Sequence, residues 1–240
     1  MHENYPEKYS TYYMDRTEDI LKIFKEKYER QEFREIGNAS QQSKTIEIQN
    51  AHFIVDKPWI VREPNYKYYE REKNWYLTRV CNVNEMIGKV PDQWQKCADN
   101  NGNINSNYGW CIFSKENHNQ FTSCRDKILN DNHTREAVMI YTRPSMQSEY
   151  NKNGMHDFMC TQYVQYFINE RDGKNYLDCI VNIRSNDAVF GFCNDSLWFA
   201  DVLNWLSEDL KANGLDNEPG IMYWNAGSIH VYERHFKFLQ

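Results

Sequence analysis

Apolar and polar positions recur with two different periods along the chain, and the changes of period mark out helices and strands. In "RTEDILKIFKEKYERQEF", Ile20, Phe24 and Tyr28 fall four apart, which predicts a helix with one apolar face. Thr17 is placed to cap it, and Glu18 and Asp19 suit its first turn. "GNASQQS" is a polar loop, and "KTIEIQNAHFIV" begins with the strict alternation of a strand. "NYKYYEREKNWYLTRV" returns to helical spacing, with Tyr68, Glu72, Trp75 and Tyr76 near one side. "CADNNGNINSNYG" is rich in turn residues and reads as a long polar loop.

The second half is dominated by strand patterns. "AVMIYT" is a short strand. "CTQYVQYFI" and "YLDCIVNIR" are longer ones, joined by "NERDGKN" as a hairpin with Gly173 in the turn. "DSLWFADVLNWLSEDLKANG" is amphipathic, with Leu203, Leu206 and Leu210 at helical spacing and Gly214 at its exit. "GIMYWNAGSIHVYERHF" supplies one or two last strands. Repeats and linkers are not evident. The expected architecture is a single α+β domain over residues 1–240, a large mixed or antiparallel sheet packed with helices, with residues 1–15 as a flexible or loosely docked lead.

Composition narrows the function. Hydrophobic residues make up 40% and charged residues 26% of the 240, the balance of a globular chain with a sizeable core. A net charge of −6 argues against direct binding to nucleic acid, which depends on neutralising phosphates, but leaves room for a local basic pocket. No apolar run reaches the roughly 20 residues needed to span a bilayer, and the polar start lacks a signal-peptide core, so a cytoplasmic location is expected. Seven widely spaced cysteines without a C-x-x-C pair argue against a disulfide framework and against a zinc site, and no metal is expected.

Several residues carry chemistry with a bland alternative beside each. Cys160, at the mouth of a strand, is by type most often a buried structural thiol. Glu72 on a helix with aromatic neighbours could move protons, although a solvent-facing glutamate is commoner. Arg184 and Ser185 in "NIRSND" suit a phosphate, because a guanidinium fork and a hydroxyl both donate to its oxygens. His230 and Tyr232 stand two apart on a strand, so they share a face and could reach one ligand or simply pack.

Taken in order, these residues change character. "INSNYGW", "MIYTRPSM", "DFMCT", "NIRSNDAVFGFCND" and "GSIHVYERHF", with the Glu-x-x-Trp helix upstream, resemble the thymidylate synthase superfamily from about residue 43 onward. The resemblance implies that Cys160 is the nucleophile attacking C6 of a pyrimidine, with Arg184 and Ser185 on the nucleotide phosphate. Arg135 matches an arginine that family members reach across a homodimer interface to that phosphate, and a sheet face would form the interface. The family's second arginine is replaced here by Glu136, which is expected to point elsewhere; Arg34, Lys44 and Arg143 are open candidates to compensate. His230 and Tyr232 match the pair on the sugar hydroxyl, Glu72 a glutamate that organises proton transfer and water, and Tyr108 a tyrosine near the nucleophile. Asp187 matches a folate-contacting aspartate, and Trp94 is a candidate wall of the folate pocket.

Asp195 stands where thymidylate synthases carry an asparagine. An asparagine amide fits the acceptor and donor of uracil, whereas a protonated carboxyl can donate to N3 of cytosine and accept from its 4-amino group. The expectation is therefore a cytosine nucleotide, dCMP, taking a one-carbon unit at C5 from 5,10-methylenetetrahydrofolate. A chain that stops soon after "RHFKFL" leans toward completion by water, giving a 5-hydroxymethyl product. The alternatives are a dCMP or dUMP methyltransferase on the same scaffold, or a non-catalytic nucleotide-binding relative.

Overall fold

A computed structural model describes residues 14–37 and 42–240. Most of the expected lead, and four residues of the loop before the first long strand, lie outside that range. In chain order the elements are α1 (Thr17–Glu29), β1 (Arg34–Ile36), β2 (Ser43–Ile54), α2 (Tyr66–Thr78), α3 (Asp92–Cys97), α4 (Tyr108–Phe113) and α5 (Gln120–Asn130). They continue with β3 (Val138–Ile140), α6 (Met146–Glu149), β4 (Thr161–Arg171), β5 (Lys174–Ile183), β6 (Asn186–Asp187), α7 (Gly191–Ala212) and β7 (Glu218–Tyr232).

The strands form one mixed sheet in the order β1-β2-β7-β5-β4-β3, with β6 also pairing β7. All pairs are antiparallel except β5 and β6 against β7. A parallel neighbour needs a long crossover, and the 22-residue α7 supplies it between β6 and β7. Its buried stripe of Trp198, Phe199, Val202, Leu206 and Leu210 packs on the sheet, where Phe199 meets Trp224. The β4–β5 hairpin turns through Asp172 and Gly173, both with positive φ, as an I′-type turn requires.

The central pair β2–β7 has a feature that positions the site. Inward-facing positions change parity at Asn50 in β2: Ile46 and Ile48 are buried before it, Ala51 and Phe53 after it. The partner strand changes at the facing Gly227, with Trp224 and Ala226 buried on one side and Ile229 and Val231 on the other. Asn50 has a φ of 53°, and a Cβ on Gly227 would lie 3.0 Å from the Arg184 carbonyl. The core thus takes the odd positions at the end of β7, and the even positions His230 and Tyr232 line the pocket.

Several element ends differ from the sequence reading. Arg16, not Thr17, caps α1; Asp19 Oδ2 accepts from the Arg16 backbone N–H at 3.0 Å, while the Thr17 hydroxyl turns to Asp56. The last helix begins at Gly191, four residues before the apolar spacing suggests, because burial of Phe192 and Cys193 outweighs the low propensity of glycine. The polar run before Gly109 ends in a short helix: Asn107 Oδ1 accepts from Trp110 N at 2.8 Å and starts α4. A Cβ on Gly109 would sit 1.9 Å from the Tyr76 carbonyl, so only glycine lets α4 close on α2 and stack Tyr108 on Tyr76 at 5.2 Å. No helix among the described residues is long and apolar enough to cross a membrane.

Candidate active site

A pocket of about 960 Å³ opens between α2, α3, the start of α7 and the end of β7. Glu72, Trp94, Tyr108, Cys160, Ser185, Asp187, Asp195, His230 and Tyr232 all line it, so nine of the residues singled out from sequence meet in one cavity. Its size is at the upper end for small-molecule sites.

Cys160 sits where the chain enters β4. The Arg184 N–H donates to the Cys160 carbonyl at 2.9 Å, and Arg184 Nη2 lies 3.7 Å from Cys160 Sγ. The same guanidinium donates to the carbonyls of Met159 and Phe158 and lies over the Phe158 ring. Burial pushes the Cys160 thiol up to about 11, with Arg184 pulling the other way. The thiol is therefore neutral near pH 7 in the ligand-free protein.

Asp195 lies on the second turn of α7. Asn186 Nδ2 donates to its Oδ2 at 3.0 Å, and the Tyr108 hydroxyl lies 3.3 Å from Oδ1. Burial, reinforced by the nearby Glu72, raises its carboxyl to about 7. The Tyr108 hydroxyl also shares a 2.7 Å hydrogen bond with the Thr161 hydroxyl, which ties the carboxyl to the strand that carries Cys160.

Glu72 is 3% exposed. Tyr68 OH donates to its Oε1 at 2.5 Å and Trp94 Nε1 at 2.7 Å. Burial raises its pKa against the effect of both bonds. Trp94 thus touches Glu72 directly, a contact that its position in a separate short helix did not suggest.

His230 pairs in register with Asp187 on one side and Glu47 on the other. Burial lowers its pKa, against the pull of Asp187 and Glu47. Its ring meets Tyr232 edge-on at 4.8 Å, and its Nδ1 lies 3.4 Å from Ser228 Oγ. A smaller recess of about 210 Å³ adjoins them, lined by Arg34, Thr45, Glu47, Ser185, Ser228, His230 and Tyr232 among others.

Arg135 is not brought to this pocket. It is exposed on the segment before β3, and its carbonyl accepts from Gln165 at 2.8 Å. Glu136 points away, paired with Lys127 at 2.8 Å. Among the candidates to compensate, Arg143 is taken by Glu149 at 2.8 Å and Asn105, and Lys44 lies over Phe33. Arg34 is ion-paired to Glu47 but borders the recess that contains Ser185.

Residues that the sequence reading did not single out complete the site. Tyr68 shares a helix face with Glu72 one turn away, so the i,i+4 spacing already carried that signal. Asn186, Thr161 and the buried Asp157 lie within the quoted motifs, but no spacing assigned them a task. Asp157 accepts from the backbone N–H groups of Asn105 and Ser106, each at 2.7 Å, and holds the pocket's far wall to the Cys160 segment.

The thymidylate synthase family model matches residues 11–240, and the chain belongs to that family. It is 47% identical over 195 residues to the deoxycytidylate 5-hydroxymethyltransferase of Enterobacteria phage T4, covering 80% of this chain and 78% of the relative. The phage T2 enzyme of the same name matches equally well. The thymidylate synthase of Vesicomyosocius okutanii is 23% identical over 171 residues, 68% of this chain and 58% of that one. Among solved structures, thermostable thymidylate synthase A from Bacillus subtilis superposes with a TM-score of 0.63 at 18% identity, over 86% of this chain and 74% of its own, a likeness of fold.

Proposed function

We propose that this protein is a deoxycytidylate 5-hydroxymethyltransferase, converting dCMP to 5-hydroxymethyl-dCMP. The observation that carries the base assignment is Asp195, a half-buried carboxyl raised to about 7 in the pocket that contains Cys160. Near neutral pH such a group supplies both a donor for cytosine N3 and an acceptor for the 4-amino group. The 47% identity to named phage enzymes supports the same activity.

In this reading the Cys160 sulfur bonds to C6 as its proton leaves. The C5=C6 electron pair moves toward N3, which takes a proton from Asp195. Charge that would otherwise build on the ring is thereby neutralised, and C5 becomes a nucleophile. 5,10-Methylenetetrahydrofolate supplies the one-carbon unit as co-substrate. The residues present fit it: Trp94, Asp187 and the exposed Phe190 give the cavity aromatic walls and one carboxylate beyond the Cys160 floor. As the carbon bonds to C5, its bonds to the folate nitrogens must break, so that tetrahydrofolate leaves; the C5 proton departs and an exocyclic methylene remains on the ring. Glu72, held by Tyr68 and Trp94, positions the water that adds to that methylene; N3 returns its proton to Asp195, and return of the electron pair to C5=C6 breaks the S–C6 bond.

The family resemblance gives Ser185 and Arg184 to the nucleotide phosphate; Ser185 lines the pocket, Arg34 borders the adjoining recess as a neighbouring cation, and the Arg184 guanidinium is held by the carbonyls of Met159 and Phe158. His230 and Tyr232 take the sugar hydroxyl. Arg135, which does not line its own pocket, completes the phosphate site of a second copy across a sheet-face dimer.

The test combines dCMP, 5,10-methylenetetrahydrofolate and the purified protein, with product mass and dihydrofolate as readouts. Hydroxymethyl-dCMP without dihydrofolate is expected. Methyl-dCMP with stoichiometric dihydrofolate would make the protein a methyltransferase, and turnover of dUMP alone would remove the role given to Asp195.

A further inference from the structure

Asn186 is 2% exposed and borders the pocket. One end of its amide meets Asp195, Nδ2 donating to Oδ2 at 3.0 Å. The other end, Oδ1, is buried with no hydrogen-bond partner among the described residues. A buried acceptor left unpaired costs about 1–3 kcal/mol, so an amide here has a stability disadvantage that an apolar side chain of similar size would avoid. Its one side-chain hydrogen bond is the one to Asp195.

The bond serves both protonation states of the carboxyl. Nδ2 donates to Oδ2 of the ionised Asp195, and it keeps that bond when the acid proton sits on the other carboxyl oxygen, where it can be given to a base. The amide therefore grips one oxygen and leaves the other to meet the ligand.

We propose that Asn186 is a positioning residue for Asp195 that holds the carboxyl plane in both protonation states and thereby determines which base edge the pocket accepts. This deepens the functional reading above and rests on it. The ionisable groups facing Asp195 are Glu72 and Tyr76 from α2, Tyr108 from α4, Cys160 at the entry to β4, Asp187 from β6 and Cys193 from its own helix. All of them stay in place when Asn186 alone is changed.

The test measures tritium release from C5-labelled dCMP and dUMP against pH for the wild type, Asn186→Ala and Asn186→Leu, the last keeping the side-chain volume. The bond in the structure favours the carboxylate, so its loss moves the basic limb of kcat/KM for dCMP upward, by about one pH unit. Preference for dCMP over dUMP falls about tenfold as the carboxyl loses its fixed plane. A wild type that prefers dUMP overturns the reading of Asp195 and the proposal with it. A wild type that prefers dCMP, with folded variants that lose activity equally on both nucleotides and keep the limb in place, overturns the role of Asn186 alone. Failure of both variants to fold assigns the residue to the core and likewise overturns it.

Discussion

Arg184 holds Cys160 at two points, donating its backbone N–H to the Cys160 carbonyl at 2.9 Å and placing Nη2 3.7 Å from the sulfur. The first contact is part of the junction between β4 and β5; the second sets a positive charge against a thiol that burial would otherwise keep protonated still further up the pH scale. Alkylation of Cys160 by iodoacetamide, followed by peptide mass spectrometry, should be slow at pH 7 and rise toward about pH 11. Arg184→Met should slow it further at pH 8, by about tenfold. Equal rates in the two proteins would show that the guanidinium does not act on the sulfur.

Asp195 carries a stability cost with a defined sign. Its pKa is higher in the folded protein than in the unfolded chain, so its contribution is fully present below pH 3.8 and is lost as pH rises through about 7. Asp195→Asn should therefore melt higher than the wild type at pH 8, by on the order of 1–3 kcal/mol, and show no advantage at pH 4. The same substitution should move C5 exchange from dCMP to dUMP. A variant less stable than the wild type at pH 8 would contradict the neutral-carboxyl picture.

The exposed Arg135 makes a quaternary prediction. Arg135→Ala and Cys160→Ser should each lose most activity as separate proteins. Mixed under conditions that exchange subunits, they should regain turnover, because a heterodimer has one pocket with both Cys160 and a donated Arg135. Absence of recovery from subunits shown to have exchanged would confine Arg135 to some other task.

Away from the pocket, Asp178 is 1% exposed and accepts from Arg171 at 2.7 and 2.9 Å, from Asn169 at 2.7 Å and from the Ile221 N–H at 2.6 Å. These bonds lower its pKa against burial. The stability it contributes is present above pH 3.8 and fades as pH falls through the lower folded value. Asp178→Ala should cost about 3 kcal/mol at pH 7 in urea denaturation, with the gap to the wild type closing in acid. A loss below about 0.5 kcal/mol would mean that the strand junction is held by its backbone bonds alone.

Local pattern was enough for the strands and the long helices. The apolar-rich runs of β4 and β5, the glycine of their turn and the leucine stripe of α7 are each encoded within a dozen residues, because an element must carry apolar positions to be buried. The spacing of His230 and Tyr232 likewise placed them on one face. The ordered motifs around Cys160, Arg184 and Asp195 pointed to the right family for the same reason: each lies on one short segment.

What tertiary structure alone decided is what joins distant segments. The parity change at Asn50 and Gly227 reverses which positions of two strands face the core, and no single-strand pattern encodes a paired kink. The α4 helix forms where Gly109 allows a backbone approach that any Cβ would block. Trp94 and Tyr68 converge on one oxygen of Glu72, and the buried amide of Asn186 meets Asp195 across a strand and a helix. The sequence by itself determined the long strands, the three longest helices and the family, since those follow from periodicity and local motif. The protonation of the pocket was decided only by the fold, since burial and neighbouring charge are properties of a three-dimensional environment.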